Sequence, residues 1–366
     1  MVAVPDIRVT HALGAYDVTV RAGALDDLPA RVRSLWPERS VALITDETVR
    51  TLLADRLAGG PWTLVLSVPP GESSKTRARW EALTDALSAA GFSRDAAIVA
   101  LGGGVVGDLA GFVAATFARG IPFLQVPTTL LAMVDSSVGG KTGVDTPQGK
   151  NLVGAFHPPA GVLADPTVLA TLPLHDYRGG LAEMAKHGIV ADAAYWSELQ
   201  ARAPDLAART PEALTPLIRR SVEIKAAVVT EDERESGRRS VLNAGHTVAH
   251  AIEQLSRFAV SHGDAVAIGL VAEAHLGESI GIARKGLAAE IAAGLRVLRL
   301  PTHVPADLAA NALLDAMRLD KKRSGTQLRF ALPKEIGVMA RDAARWTIPV
   351  SDAAAIVHAL RSAGAA

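Results

Sequence analysis

Cysteine is absent from this 366-residue chain. That excludes disulfide staples and thiolate metal ligands, and it fits a reducing compartment. An excess of either charge is absent too. The 38 Lys and Arg offset 38 Asp and Glu, so no global field draws the chain to nucleic acid or a membrane surface. An anionic substrate must then be met by a local basic cluster. Long apolar runs are missing: the nearest, Leu109 to Phe117, is short for a membrane span and is flanked by Asp108 and Arg119. Met1 to Val9 shows no charged-then-apolar signal pattern, and no repeat or low-complexity segment stands out. The expectation is a cytoplasmic protein that binds neither nucleic acid nor membrane.

What is present is a globular composition, 49% hydrophobic and 21% charged, over a length sufficient for two domains. The first part alternates strand and helix signals. Ile7 to Leu13 and Tyr16 to Val20 read as a hairpin around Gly14. Val41 to Ile44, Trp62 to Val68, Ala96 to Leu101 and Phe123 to Val126 read as buried strands, and Arg77 to Ala90 as a helix that stops at Gly91. Strands separated by helices imply a parallel, doubly wound sheet. After Leu172 strand signals fade, and alanine-rich helical patterns run on, punctuated by Pro204, Pro211 and Pro301, to a final helix within Ser351 to Ala366. The expected fold is an α/β domain with a Rossmann-like sheet over residues 1–172, followed by a mainly α-helical domain over 173–366.

Gly102-Gly-Gly-Val-Val-Gly-Asp108 follows a strand and precedes a helix, where glycines let a pyrophosphate approach backbone N–H groups. Many such clusters are only tight turns, and the spacing departs from G-x-G-x-x-G, which disfavours an ordinary Rossmann dehydrogenase. Pro127-Thr-Thr129 adds hydroxyls on the same sheet edge. Asp135-Ser-Ser-Val-Gly-Gly-Lys141-Thr142 with Gly149-Lys-Asn151 reads as a mobile, glycine-rich anion cradle. Further on, Glu183 and three histidines, His246, His250 and His262, lie among helix-forming sequence and offer the carboxylate and imidazole that a zinc-like ion prefers. His246 and His250 are four apart and share a helical face, so spacing alone pairs them on one metal, although the glutamate of H-E-x-x-H is missing. A lone histidine is more often a hydrogen-bonded core residue. The crowding of Glu183, Lys186, Lys225, Arg239 and Asn243 in the same stretch argues against that for the group. A metal site and a nucleotide site in one chain point to an enzyme. The charge runs Asp232 to Glu235 and Asp320 to Arg323 read as solvated faces.

With these pieces assembled, the chain resembles the 3-dehydroquinate synthases among the sugar-phosphate cyclases. The resemblance runs from about Asp46 to Pro333. It rests on Pro70-Gly-Glu-Ser-Ser-Lys75, Gly102 to Asp108, Gln125-Val-Pro-Thr-Thr129, Asp135 to Thr142, Gly149-Lys-Asn151, Leu181-Ala-Glu-Met-Ala-Lys186, Asp232-Glu-Arg-Glu-Ser-Gly237, Leu242-Asn-Ala-Gly-His246, His262-Gly263 and Asp320-Lys-Lys322. It implies a homodimeric lyase that uses NAD and Zn2+ or Co2+. The implied reaction converts 3-deoxy-D-arabino-heptulosonate 7-phosphate to 3-dehydroquinate and phosphate, through transient oxidation, phosphate elimination, reduction and intramolecular aldol closure. The substrate's own phosphate oxygens are available as base.

Carried over position by position, the resemblance implies Glu183, His246 and His262 as metal ligands, against the spacing argument. It implies Asp46, Glu72, Lys75, Gly103, Gly104, Asp108, Thr128, Thr129, Thr171 and Leu172 as NAD contacts, with Lys141 and Lys150 counted there too. Asp135, Lys141, Lys150, Asn151, Lys186, Lys225, Glu235, Arg239, Asn243, His250 and Lys321 match the substrate site, and Arg119 an arginine reaching into the partner subunit's site. Departures are small: His187 stands for a common tyrosine, Val248-Ala249 for an aromatic-glycine pair, Asp264 for a glutamate. Sister cyclases acting on carboxylate-free sugar phosphates are the nearest rivals, and Lys225 with Arg239 weighs against them. A metal-dependent dehydrogenase would not need the Lys141, Lys150, Asn151 and Arg239 set. A non-catalytic NAD-binding protein would not need to keep every polar group.

Overall fold

The structure, a computed structural model, describes residues 5–324, 327–343 and 345–366, the side chains of 320–324 excepted. The chain divides into two compact units, one formed by 1–172 with 209–230 and the other by 173–208 with 231–366. The helix Pro211–Glu231 thus packs almost wholly with the first unit, whereas a division of the sequence at 172 gives it to the second. The physical reason lies in its inward face. Leu214, Leu217, Ile218, Val222 and Lys225 are buried, and the Lys225 ammonium reaches the carbonyl of Asp135 at 2.5 Å.

The first unit is built on a seven-stranded sheet. Its strands are β1 (Ile7–His11), β2 (Gly14–Val20), β3 (Ser40–Asp46), β4 (Leu64–Val68), β5 (Ala96–Gly102) and β6 (Phe123–Pro127). A hairpin of β7 (Lys141–Thr146) and β8 (Gly149–Phe156) stands apart from the sheet, and β9 (Gly161–Ala164) completes it. The sheet order is β1-β2-β9-β6-β5-β3-β4. Only the β1–β2 pair is antiparallel; the rest are parallel, with Ile98 opposite Phe123 and Gly102 opposite Pro127. The strand period of two sorts the core. Ala42, Ile44, Ile98 and Ala100 face a cluster with Leu109, Val113 and Phe123. Val41, Leu43, Val99 and Leu101 face the opposite cluster with Leu25, Leu28, Val32 and Val126. A strand with both faces buried has no polar alternation, which is why β5 reads Ala-Ala-Ile-Val-Ala-Leu. The helix at Arg77–Ala89 is capped by the Thr76 hydroxyl, which accepts the Arg79 N–H.

The glycine-rich stretch after Asp135 leads into a paired hairpin. Lys141 pairs with Phe156 and Val144 with Val153 in the β7–β8 hairpin. The Tyr16 hydroxyl accepts the Gly139 N–H at 2.9 Å and fixes the turn that leads into it.

The second unit is helical, with two small two-stranded ladders, Arg329–Phe330 with Ile348–Pro349 and Pro333–Glu335 with Val338–Met339. Its centre is the helix Leu174–Ala191, buried almost all round from Gly179 to Val190, against the equally buried helix His262–Ser279. Glycine sets how closely these backbones approach: a Cβ at Gly263 would lie 2.3 Å from Gly179 Cα. The helix Ala353–Ser362 closes the chain, capped by Asp352. No helix among the described residues is long and apolar enough to cross a membrane.

One buried carboxylate ties the first unit together. Asp165, 2% exposed, accepts the N–H groups of Gly23, Leu25 and Thr167 and bonds the Arg56 guanidinium at 2.9 Å. Burial works against its charge, but the N–H and hydroxyl donors of Leu25 and Thr167, with Arg56, outweigh it and hold the carboxyl below its usual pKa. A depressed carboxylate adds stability above its unfolded pKa and loses it as pH falls through the folded value. Asp165→Asn turns one acceptor into a donor facing donors, so we expect about 2–4 kcal/mol of lost stability in urea unfolding at pH 7. The gap between parent and variant should narrow only below about pH 4, the ordinary carboxylate range. A gap that does not change with acid would mean that the carboxylate charge contributes nothing.

Candidate metal and nucleotide sites

Glu183, Lys186 and His187 lie three and four residues apart on the central helix of the second unit and are all buried. Glu183 is 0% exposed and pairs with the Lys186 ammonium. Its Oε1 lies 3.9 Å from His246 Nε2 and 3.6 Å from His262 Nε2. Among the described residues these three form a group whose donor atoms all lie within 4.8 Å of one another. Ligands about 2.0–2.2 Å from a tetrahedral Zn2+ stand roughly 3.3–3.5 Å apart, so small adjustments close the set.

The ring orientations fit an ion as well. His246 Nδ1 meets the Ala244 carbonyl at 3.1 Å, and His262 Nδ1 meets Glu253 Oε2 at 3.3 Å. With the N–H on Nδ1 in each ring, both Nε2 lone pairs turn toward Glu183. Burial and the Lys186 ammonium push His246 down to about 3, which leaves it neutral, the form that ligates. Burial opposes protonation of His262 too, but Glu183 and Glu253 hold it up at about 9 in the metal-free protein, so a cation binding there displaces a proton from this ring. The donor set therefore fits a divalent cation: one carboxylate, two imidazoles and room for further ligands.

His250, one turn beyond His246, is exposed and meets it edge to face, with ring centroids 5.8 Å apart. The pairing of His246 with His250 on one ion, suggested by helical spacing, does not describe this geometry. His262 completes the group instead, because the helix that it opens crosses near Gly245. A Cβ at Gly269 would lie 2.0 Å from the Gly245 carbonyl oxygen. Glu273 on the same helix accepts the Gly245 N–H at 2.8 Å and so pins the turn before His246.

The segment before that turn is organised by Asp232, which accepts the N–H groups of Ser236, Gly237 and Arg239. Arg239, 3% exposed, donates through Nη1 to the Glu233 carbonyl. Glu235, at φ +59°, accepts the Asn243 amide at 2.6 Å. A run that reads as a solvated face is thus a folded loop around one aspartate. Lys321, on the helix Ala310–Ser324, is among the residues whose side chains are not described.

In the first unit the residues expected at the nucleotide lie mostly along the carboxyl edge of the sheet. Gly103 caps the helix Gly104–Thr116, so the expected loop is a two-residue turn and Gly104 to Asp108 are already helical. A Cβ at Gly103 would lie 3.0 Å from Thr129 Cγ2, and one at Gly104 3.0 Å from Ser136 Oγ. Thr128 N donates to the Gly102 carbonyl, and Thr129 Oγ1 accepts the Ala132 N–H. Asp46 caps the next helix by accepting the Val49 N–H. Lys75 Nζ bonds Asp108 at 2.6 Å; burial lowers the lysine's pKa, but the attraction of Asp108 outweighs it and holds the ammonium charged. Glu72 lies 3.8 Å from Lys150 Nζ. Thr171 and Leu172 end the turn Pro166–Thr171.

Asp135, in a wide π-type turn at Ala132–Ser136, holds Lys225 through its carboxylate and its carbonyl. Lys141, Lys150 and Asn151 are exposed on the β7–β8 hairpin, with Asn151 at φ +56° and its N–H on Asp145 Oδ1. Arg119 is exposed beside Ala118, and both hold positive φ, of +69° and +50°. Glu253, Glu273 and Tyr16 escaped the sequence reading. The available signal for Glu253 was its place seven residues after His246, two turns along the same helical face.

Comparison with known proteins places this geometry. Residues 65–179 match the model for the 3-dehydroquinate synthase N-terminal domain, and 180–323 the C-terminal one. The 3-dehydroquinate synthase of Geobacter metallireducens is 46% identical over 337 residues, covering 90% of this chain and 93% of its own. Among solved structures, the 2-epi-5-epi-valiolone synthase of Streptomyces hygroscopicus, with NAD+ and Zn2+ bound, superposes with a TM-score of 0.83 at 27% identity, covering 99% of this chain and 98% of its own. A 2-deoxy-scyllo-inosose synthase, solved with carbaglucose-6-phosphate, NAD+ and Co2+, reaches 0.88 at 24% identity over 98% of this chain and all of its own, a likeness of fold. Matched in both halves, and at this identity over nearly its whole length, the chain belongs to the 3-dehydroquinate synthase family.

Proposed function

We propose that this chain converts 3-deoxy-D-arabino-heptulosonate 7-phosphate to 3-dehydroquinate and phosphate, with NAD and Zn2+ or Co2+ as cofactors. The observation that carries the reading is the convergence of Glu183, His246 and His262 on one point in a chain of this family. When bound, NAD takes and returns a hydride, and the divalent ion polarises the substrate's hydroxyls.

The chain's own residues supply position and charge. The turn at Gly103–Gly104 offers helix N–H groups to the cofactor's pyrophosphate, with Thr128 and Thr129 beside it. Asp46, Glu72, Lys75, Asp108, Thr171 and Leu172 complete the cofactor set. Lys141, Lys150, Asn151, His250 and Lys186 are assigned to phosphate and hydroxyl groups, and Lys225 and Arg239 to the carboxylate. Asp135, Glu235 and Asn243 orient these cations and the substrate. Lys321 is kept in the set on the resemblance alone. The identity to a 3-dehydroquinate synthase is 46%, against 24–27% for the solved sister cyclases, which favours the substrate that carries a carboxylate.

Phosphate release from a panel of sugar phosphates tests the substrate. The heptulosonate phosphate should release one phosphate per molecule consumed with catalytic NAD, and no NADH should accumulate. Stoichiometric NADH would move the assignment to a dehydrogenase. Arg239→Ala should lose about 2–5 kcal/mol in kcat/KM, the scale for breaking a buried charge pair. Near-normal efficiency would favour a carboxylate-free substrate.

The metal set has its own test. His262→Ala, dialysed and analysed for metal, should come out depleted, whereas His250→Ala should keep its ion and lose turnover or substrate affinity. The reverse pattern would return the site to His246 and His250.

We also assign the chain to the cytoplasm, as a homodimer in which Arg119 completes the partner's site. Two adjacent non-glycine residues at positive φ store strain of order 1–3 kcal/mol each, which fits a side chain held out for a task. Arg119→Ala mixed with the inactive His262→Ala chain should then regain about a quarter of parental activity, since random pairing makes half of the dimers mixed, each with one intact site. No recovery on mixing, with subunit exchange verified, would place Arg119 in its own chain's site or in none.

A further inference from the structure

His262 has an acidic neighbour at each ring nitrogen. Glu183 Oε1 lies 3.6 Å from Nε2, and Glu253 Oε2 lies 3.3 Å from Nδ1, at the long end of hydrogen-bond range. Glu253 is 4% exposed, and a carboxylate so buried is costly unless donors compensate its charge. It belongs to the helix His246–Leu255, whereas His262 opens the next helix, so the contact bridges two elements. Local backbone geometry makes the bridge possible. The Glu253 carbonyl accepts the Phe258 N–H at 2.8 Å, and Arg257 and Phe258 hold φ of +50° and +63°, which reverses the chain within a few residues. The Ser261 hydroxyl then accepts the Asp264 N–H and starts the next helix at His262.

The two imidazoles of the metal group are thus oriented by different chemistry. His246 leans on a neutral carbonyl and His262 on a carboxylate. A carboxylate on Nδ1–H fixes the tautomer, aims the Nε2 lone pair and makes the ring a stronger base toward a cation. We propose that Glu253 is a positioning residue for His262, which it orients and strengthens as a ligand of a divalent zinc-like cation. This rests on the reading of Glu183, His246 and His262 as the metal set.

The test is Zn2+ affinity of the full-length chain, measured by competition with a chromophoric chelator, for the parent, E253A, E253Q and H262A. Thermal melts of the metal-free forms report folding. E253A should bind Zn2+ about 10–100-fold more weakly. E253Q keeps an acceptor and loses the charge, so it should fall between parent and E253A, at least about threefold weaker than the parent. The Co2+ absorption spectrum should change in both variants. Zn2+ affinity of E253A within twofold of the parent, with an unchanged Co2+ spectrum, overturns the proposal; should E253A fail to fold, the same result for E253Q does so. H262A separates the two levels. If H262A binds Zn2+ as the parent does, the ligand set itself is wrong. If H262A is weak while E253A is normal, only the role of Glu253 falls.

Discussion

A carboxylate with no exposed surface is the constraint around which the second unit is arranged. Glu183 lies in the middle of a helix whose every neighbour is buried, and an ionised group there is tolerated only if opposite charge or donors surround it. Lys186 supplies one such charge from the next turn, and His246 and His262 approach from two other helices. A divalent cation between the carboxylate and the imidazoles would satisfy the same demand more fully. Breaking one member of such a group leaves the others as uncompensated buried charge. The cluster is therefore costly to the fold, and a bound cation would offset part of that cost.

Close approach of backbones makes the cluster possible. Helices with ordinary side chains at their crossing pack about 8–10 Å apart. Gly263 against Gly179 and Gly269 against Gly245 remove the side chains that would hold the helices apart. The first unit uses the same device at the carboxyl edge of its sheet, where Gly103 and Gly104 leave room beside Thr129 and Ser136. In both units the candidate site sits where glycine lets main chain come near.

Much of this was legible in the sequence. Parallel strands buried on both faces wrote themselves as apolar runs from Val41 to Ile44 and Ala96 to Leu101, and the turn at Gly102 to Gly104 stood out by composition. What stayed hidden was set by tertiary contact. His246 and His250 share a helical face, and nothing local to that helix says that the third donor comes from His262 on another. The helix Pro211–Glu231 resembles its helical neighbours in composition, and tertiary contacts such as that of the buried Lys225 with Asp135 tie it to the first unit. The β7–β8 hairpin was masked by its glycines, which lower strand propensity but permit the tight pairing of Gly143 with Gly154. Glu253 carried no local signal of its partner, because it is the chain reversal at Arg257–Phe258 that puts it against His262.

Net neutrality and a strongly anionic substrate are reconciled by how the cations are held. Lys75 is bonded to Asp108, Lys225 to Asp135, Lys186 to Glu183, and Arg239 to a main-chain carbonyl. A buried ammonium without such a partner would lose its proton, because burial alone lowers its pKa. Pairing keeps the charge and also fixes the side chain, so little reorganisation is needed when phosphate or carboxylate arrives. Lys141 and Lys150 are exposed on a hairpin, where salt screens their charge more than it screens that of the buried cations. The buried cations are thus suited to hold reacting groups in place, and the exposed pair to draw an anion in. A chain with equal numbers of acids and bases can do both, because its acids are spent on positioning its bases.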